Sequence, residues 1–65
     1  MPLVQISIAE GRSDAEIRSL MAEVHEAVVR AIDAPPASVR VLINQVPTTQ
    51  WLSGGETLAE KAAAR

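Results

Sequence analysis

The sequence predicts an α+β fold: one βαβ unit with parallel strands, assembled into larger sheets through oligomerisation. Three observations carry this. Residues 3–8 and 39–46 alternate apolar with other side chains at the two-residue period of a sheet. Between them, residues 14–32 repeat apolar side chains at three- and four-residue steps, as a helix requires. Finally, the chain has 65 residues and no cysteine, yet 48% of it is hydrophobic. A domain of this size is marginal alone and needs a disulfide, a metal or a partner.

The first strand spans residues 3–8. Val4, Ile6 and Ile8 form one apolar face, and Leu3, Gln5 and Ser7 form a mixed one. Gly11 then breaks the pattern. Ser13-Asp14-Ala15-Glu16 is a capping box, in which the Ser13 hydroxyl and the Glu16 carboxylate each satisfy the other's free backbone N–H. A helix is therefore predicted over 14–32, with Ile17, Leu20, Met21, Val24, Ala27, Val28, Ala31 and Ile32 on its apolar face. The Pro35-Pro36 pair ends it, because the residue before a proline is pushed out of the helical region. The second strand, 39–46, puts Val39, Val41 and Ile43 on one face and Arg40, Leu42 and Asn44 on the other. A crossover of this length implies parallel strands.

The rest of the chain is read as a loop or hairpin at 47–57, with Trp51 laid against a neighbour, and a weakly helical or disordered tail at 58–65. The whole is one domain, 1–65. Two strands and one helix do not make an independently stable sheet, and both edges and one face are left open. Other copies of the chain are the expected cover.

Composition excludes several functions. A net charge of −2 and one aromatic residue argue against phosphate neutralisation and base stacking, so no nucleic-acid partner is expected. No apolar run approaches the ~20 residues that span a bilayer, and no membrane partner is expected. No basic-then-apolar leader opens the chain, so a cytoplasmic location is expected. The single His25 cannot make a histidine metal cluster, and no metal or cofactor is expected.

Some residues stand out, each with two readings. Pro2 lies directly behind Met1 at the head of a strand, where a missing N–H is tolerated; without Met1 it carries a free secondary amine. Arg12 is a solvated charge before a helix or a ligand for an anion. Arg40 lies mid-strand between valines on the face the helix leaves open, where an unpaired charge is costly, so it calls for a partner carboxylate or a substrate. Trp51 packs between subunits or walls a site. His25 is read as solvated, and Glu10, Glu56 and Glu60 as surface charges or intersubunit partners.

The opening "MPLVQISIAEGRSD", the middle "DAPPASVRV" and the late "WLSGGE" together resemble the tautomerase superfamily, and within it the short-chain 4-oxalocrotonate tautomerases. The likeness runs from Pro2 to about Glu56. It implies a cofactor-free isomerase that loses its initiator methionine and uses the exposed proline nitrogen as general base. The matching positions are Pro2, Arg12, Arg40 and Trp51, with the arginines and the aromatic drawn from neighbouring subunits. Trp51 replaces the phenylalanine usual in the family. The assembly implied is a homohexamer, a trimer of dimers, acting in aromatic degradation.

The chemistry suits these residue types. Tautomerisation of a conjugated 2-oxo acid such as 2-hydroxymuconate, by a 1,3- or 1,5-proton transfer, needs a base that takes a proton and returns it. Desolvation and arginine charge both disfavour the protonated amine and lower its pKa. The resemblance assigns Arg40 to the carboxylate and carbonyl side of a small anionic keto or enol acid, and Arg12 to the distal carboxylate. Trp51 would exclude water. Hydrolytic dehalogenation, found in related enzymes with an extra arginine and a glutamate, is not expected, because Ala9 and Leu52-Ser53 stand at those places. Two other readings remain: a non-catalytic or half-site subunit of a mixed oligomer, and a tautomerase of specialised biosynthesis with a different substrate.

Overall fold

A computed structural model describes residues 1–64. The elements run β1 (Leu3–Ala9), α1 (Asp14–Ile32), a 3-10 turn at Pro36–Ser38, β2 (Arg40–Val46), a second 3-10 turn at Thr48–Gln50, β3 (Leu52–Ser53), β4 (Glu56–Thr57) and α2 (Leu58–Ala63). β1 and β2 pair in parallel, from Leu3 opposite Arg40 to Ala9 opposite Val46. This is the βαβ unit with parallel strands that the alternation and the helical repeat predict.

Each boundary has a local cause. At the start of α1 the Glu16 N–H donates to Ser13 Oγ at 3.1 Å, and the Ser13 N–H donates to Glu16 Oε1 at 3.0 Å. At its end Asp33 takes the left-handed conformation, φ 51°, and the two prolines follow. The β3–β4 hairpin turns on Gly54 and Gly55, whose φ angles of 65° and 89° are both positive, as a two-residue hairpin turn needs.

In the tail the structure takes the helical of the two readings. Residues 58–63 form a helix whose N-terminus is closed by a second capping box, Thr57 with Glu60. The Thr57-x-x-Glu60 spacing that writes this box is present in the sequence. Arg65, the last residue of that expected tail, lies outside the described residues.

The helix covers one sheet face. Val4, Ile6, Ile8, Val41 and Ile43 are half-buried beneath it, whereas Leu3, Gln5, Ser7, Arg40, Leu42 and Asn44 are exposed on the other face. The covered stripe of α1 is rotated from the predicted one: Ala22, His25 and Val29 are half-buried, while Ala27, Ala31 and Ile32 are exposed. The C-terminal elements pack chiefly on one another and form an arm.

Among the described residues only Ala34 and Val39 are buried, and Leu3, Leu42 and Leu52 are 57%, 49% and 66% exposed. The radius of gyration is 15.0 Å, against ~10.7 Å for a compact domain of this length. The accessible surface is 4812 Å², against ~4,000 Å² for a folded monomer of this mass. An isolated chain with so little core does not repay the entropy of ordering it. This open face and arm are consistent with an oligomer, as the sequence predicts.

Candidate active site

Pro2 is half-buried at the head of β1 and is held there from the neighbouring strand: the Arg40 N–H donates to the Pro2 carbonyl oxygen at 3.0 Å. The parallel register makes this contact, since it sets Leu3 opposite Arg40 and so brings both strand starts to one end of the sheet. Met1 ahead of it is 90% exposed.

The Arg40 side chain is exposed, and its Nη1 donates to the carbonyl oxygens of Ala37 at 2.8 Å and Val39 at 3.4 Å. Arg40 is thus at the start of β2, whereas the sequence reading places it mid-strand. Within the single chain two carbonyls accept from one nitrogen of its guanidinium. Three of its N–H donors stay available for an anion.

Arg12 and Trp51 leave the opposite end of the sheet. Arg12 follows β1 across the Glu10-Gly11 turn, and Trp51 follows β2 across the Thr48–Gln50 turn. Seven strand residues span ~23 Å, farther than an arginine side chain reaches. Within one chain, then, Arg12 is not brought to Pro2. Arg12 is exposed and pairs with Glu16 at 3.4 Å, beside a 250 Å³ depression lined by Ile8, Glu16, Ile17 and Leu20. Trp51 is half-buried in the arm, and its carbonyl accepts from the Leu58 N–H at 3.0 Å.

His25 is partly solvated but also makes contacts within the chain. It is half-buried, with Nε2 3.0 Å from the Pro36 carbonyl oxygen and Nδ1 3.5 Å from Glu26 Oε1. The sequence signal was its helical position, four residues after Met21 and three before Val28. A 530 Å³ groove between α1 and β2 is lined by His25, Arg18, Met21, Ala22, Glu26, Val39 and Val41.

Two carboxylates are shifted in this fold. Glu16 lies below the usual glutamate range, chiefly because it accepts from the Ser13 backbone and hydroxyl, with a smaller effect from the Arg12 charge. Glu60 is lowered in the same way by Thr57. Both are helix caps, so these shifts belong to stability. Among the described residues, no group of three or more His, Asp or Glu side chains converges as metal ligands do.

Residues 2–61 match the model of a family described as "Tautomerase enzyme". The 2-hydroxymuconate tautomerase of Stutzerimonas stutzeri is 49% identical over 57 residues, which cover 88% of this chain and 90% of that protein. Two solved structures share the fold. One is TomN, a 4-oxalocrotonate tautomerase homologue in the tomaymycin biosynthetic pathway. It is 32% identical, with a TM-score of 0.93 and 95% of each chain covered. The other is a heterohexamer 4-oxalocrotonate tautomerase from Chloroflexus aurantiacus. It is 40% identical, with a TM-score of 0.88, 92% of this chain and 97% of that chain covered.

Proposed function

Because the chain belongs to the tautomerase family of enzymes, we propose that it tautomerises conjugated 2-oxo acids of the 2-hydroxymuconate type, with the Pro2 amine as general base. The observation that carries this reading is the position of Pro2. It is fixed at the head of the sheet by the Arg40 N–H, behind an exposed Met1 whose removal frees the nitrogen. With Met1 attached that nitrogen is an amide, whose lone pair is delocalised and does not accept a proton.

In the proposed cycle the neutral amine takes one proton from the substrate and becomes a secondary ammonium. With the dienol 2-hydroxymuconate the proton leaves the 2-hydroxyl oxygen, the substrate becomes a dienolate, and the ammonium returns the proton to a carbon of the conjugated chain. No atom is gained or lost, so the reaction needs no cofactor. Arg40 binds the carboxylate and carbonyl side, where its fork stabilises charge developing on oxygen. Arg12 binds the distal carboxylate, replacing its exposed contact with Glu16. Trp51 walls the pocket and excludes water. The separation of Pro2 from Arg12 along β1 supports a site shared between copies, for which a homohexamer built as a trimer of dimers is the proposed assembly. Such a chain functions in the cytoplasm, in aromatic degradation.

The test is turnover of a substrate panel by protein whose mass shows that Met1 is gone. Ketonisation of 2-hydroxymuconate well above that of monocarboxylate analogues supports the two-arginine site. A monoacid preference contradicts it and favours specialised biosynthesis, a reading supported by the likeness to TomN. The heterohexamer relative supports a second alternative, a half-site subunit. In that case the pure chain is inactive and gains activity only with a partner chain of the same fold.

A further inference from the structure

The connection between α1 and β2 is held by three consecutive carbonyl groups. The Pro35 oxygen accepts from the Ser38 N–H at 2.9 Å and from its hydroxyl at 2.7 Å. The Pro36 oxygen takes His25 Nε2 at 3.0 Å and the Val39 N–H at 3.4 Å. The Ala37 oxygen takes Arg40 Nη1 at 2.8 Å. A carbonyl oxygen only accepts, so His25 Nε2 carries the hydrogen. Among the described residues this is the one side-chain hydrogen bond from α1 to the connection. It grips the residue next to the one that holds the Arg40 guanidinium.

We propose that His25 is a positioning residue for Arg40, acting through the Pro36–Ala37 turn. The inference rests on the reading of Arg40 as a substrate-binding residue. Without the His25 contact, two prolines and an alanine would be tied to the helix only by their backbone. The Ala37 carbonyl, and the guanidinium resting on it, would then sample several positions. Ordering a long side chain before substrate arrives lowers the entropy lost on binding. Arg18 and Glu26 share the groove with His25. Among the described residues neither hydrogen-bonds or ion-pairs with Arg40, so the polar route runs through the turn.

The experiment compares His25→Gln with His25→Asn, alone and with Arg40→Ala, by kcat and KM on 2-hydroxymuconate. The glutamine amide nitrogen reaches the place of Nε2, whereas the asparagine amide stops at the place of Nδ1. His25→Gln is expected to stay within twofold of wild type. His25→Asn is expected to lose three- to tenfold in kcat/KM, about one net hydrogen bond. Combined with Arg40→Ala, His25→Asn is expected to add less than a twofold loss, since both changes remove one arrangement. A merely structural histidine predicts additive losses with a parallel fall in Tm; that result, or equal activity of the Asn and Gln variants, overturns the proposal. If Arg40→Ala itself keeps full activity, the underlying reading of Arg40 falls, and the single variants show that separately.

Discussion

The backbone N–H of Arg40 donates to the carbonyl oxygen of Pro2 at 3.0 Å. It joins the residue just before β1 to the first residue of β2, 38 positions apart in sequence, and fixes the proline beside the sheet. A chain terminus ordinarily frays; this one is tied one residue from the exposed Met1. Proline suits the place, because it gives up no ladder hydrogen bond at a strand start.

Arg40 is expected to matter through its planar fork. Arg40→Ala should lower kcat by about 10²–10³, the typical cost of removing a group that stabilises developing oxyanion charge. Arg40→Lys should fall between, since lysine keeps the charge and loses bidentate geometry. Steady-state kinetics on 2-hydroxymuconate measures both. A lysine variant as active as wild type would remove the bidentate role.

The distance between the two ends of the sheet predicts complementation. Pro2→Ala and Arg12→Ala chains are each expected to be inactive alone. Unfolded together and refolded, they should regain part of the activity, because mixed assemblies pair an intact Pro2 with an intact Arg12 from another copy. No regain, with mixing verified by mass, would place both residues in one chain's site.

Acid sensitivity follows from the two caps. Glu16 and Glu60 lie below the usual glutamate range in the folded chain because the Ser13 and Thr57 groups donate to them. A depressed pKa contributes stability that is complete above the unfolded value and is lost as pH falls through the folded one. Tm should therefore decline below about pH 4, near the ordinary glutamate pKa. Glu16→Gln retains a capping side chain and should flatten part of that decline; an unchanged acid profile would exclude the cap as its source.

Stability should depend on concentration. With Leu3, Leu42 and Leu52 exposed and two buried residues among those described, the fold is expected to depend on partners. Tenfold dilution should lower Tm by several degrees, as expected where folding and association are linked. A Tm independent of concentration, with a monomeric mass in solution, would contradict this.

Much of this fold is legible in the sequence because its signals are local. The alternation in residues 3–8, the Ser13–Glu16 box and the double proline each act within a few residues. The parallel strand order follows from the length of the crossover, and it alone sets Pro2 beside Arg40. What was not legible depends on tertiary geometry. The surroundings of Arg40 turn on how the Pro35–Ser38 connection folds back, which no periodicity encodes. His25 looked solvated because the covered stripe of α1 is rotated toward Ala22 and Val29. Of the two readings of the tail, weakly helical or disordered, the structure takes the helical one, and the local Thr57–Glu60 box is what closes its N-terminus.

The most direct test of the account is ketonisation of 2-hydroxymuconate by wild type and Pro2→Ala, both with Met1 removed as shown by intact mass. The account predicts rapid turnover by the wild type and a loss of about 10²–10⁴-fold in the variant, the typical contribution of one general base. Equal activity of the two proteins would contradict it.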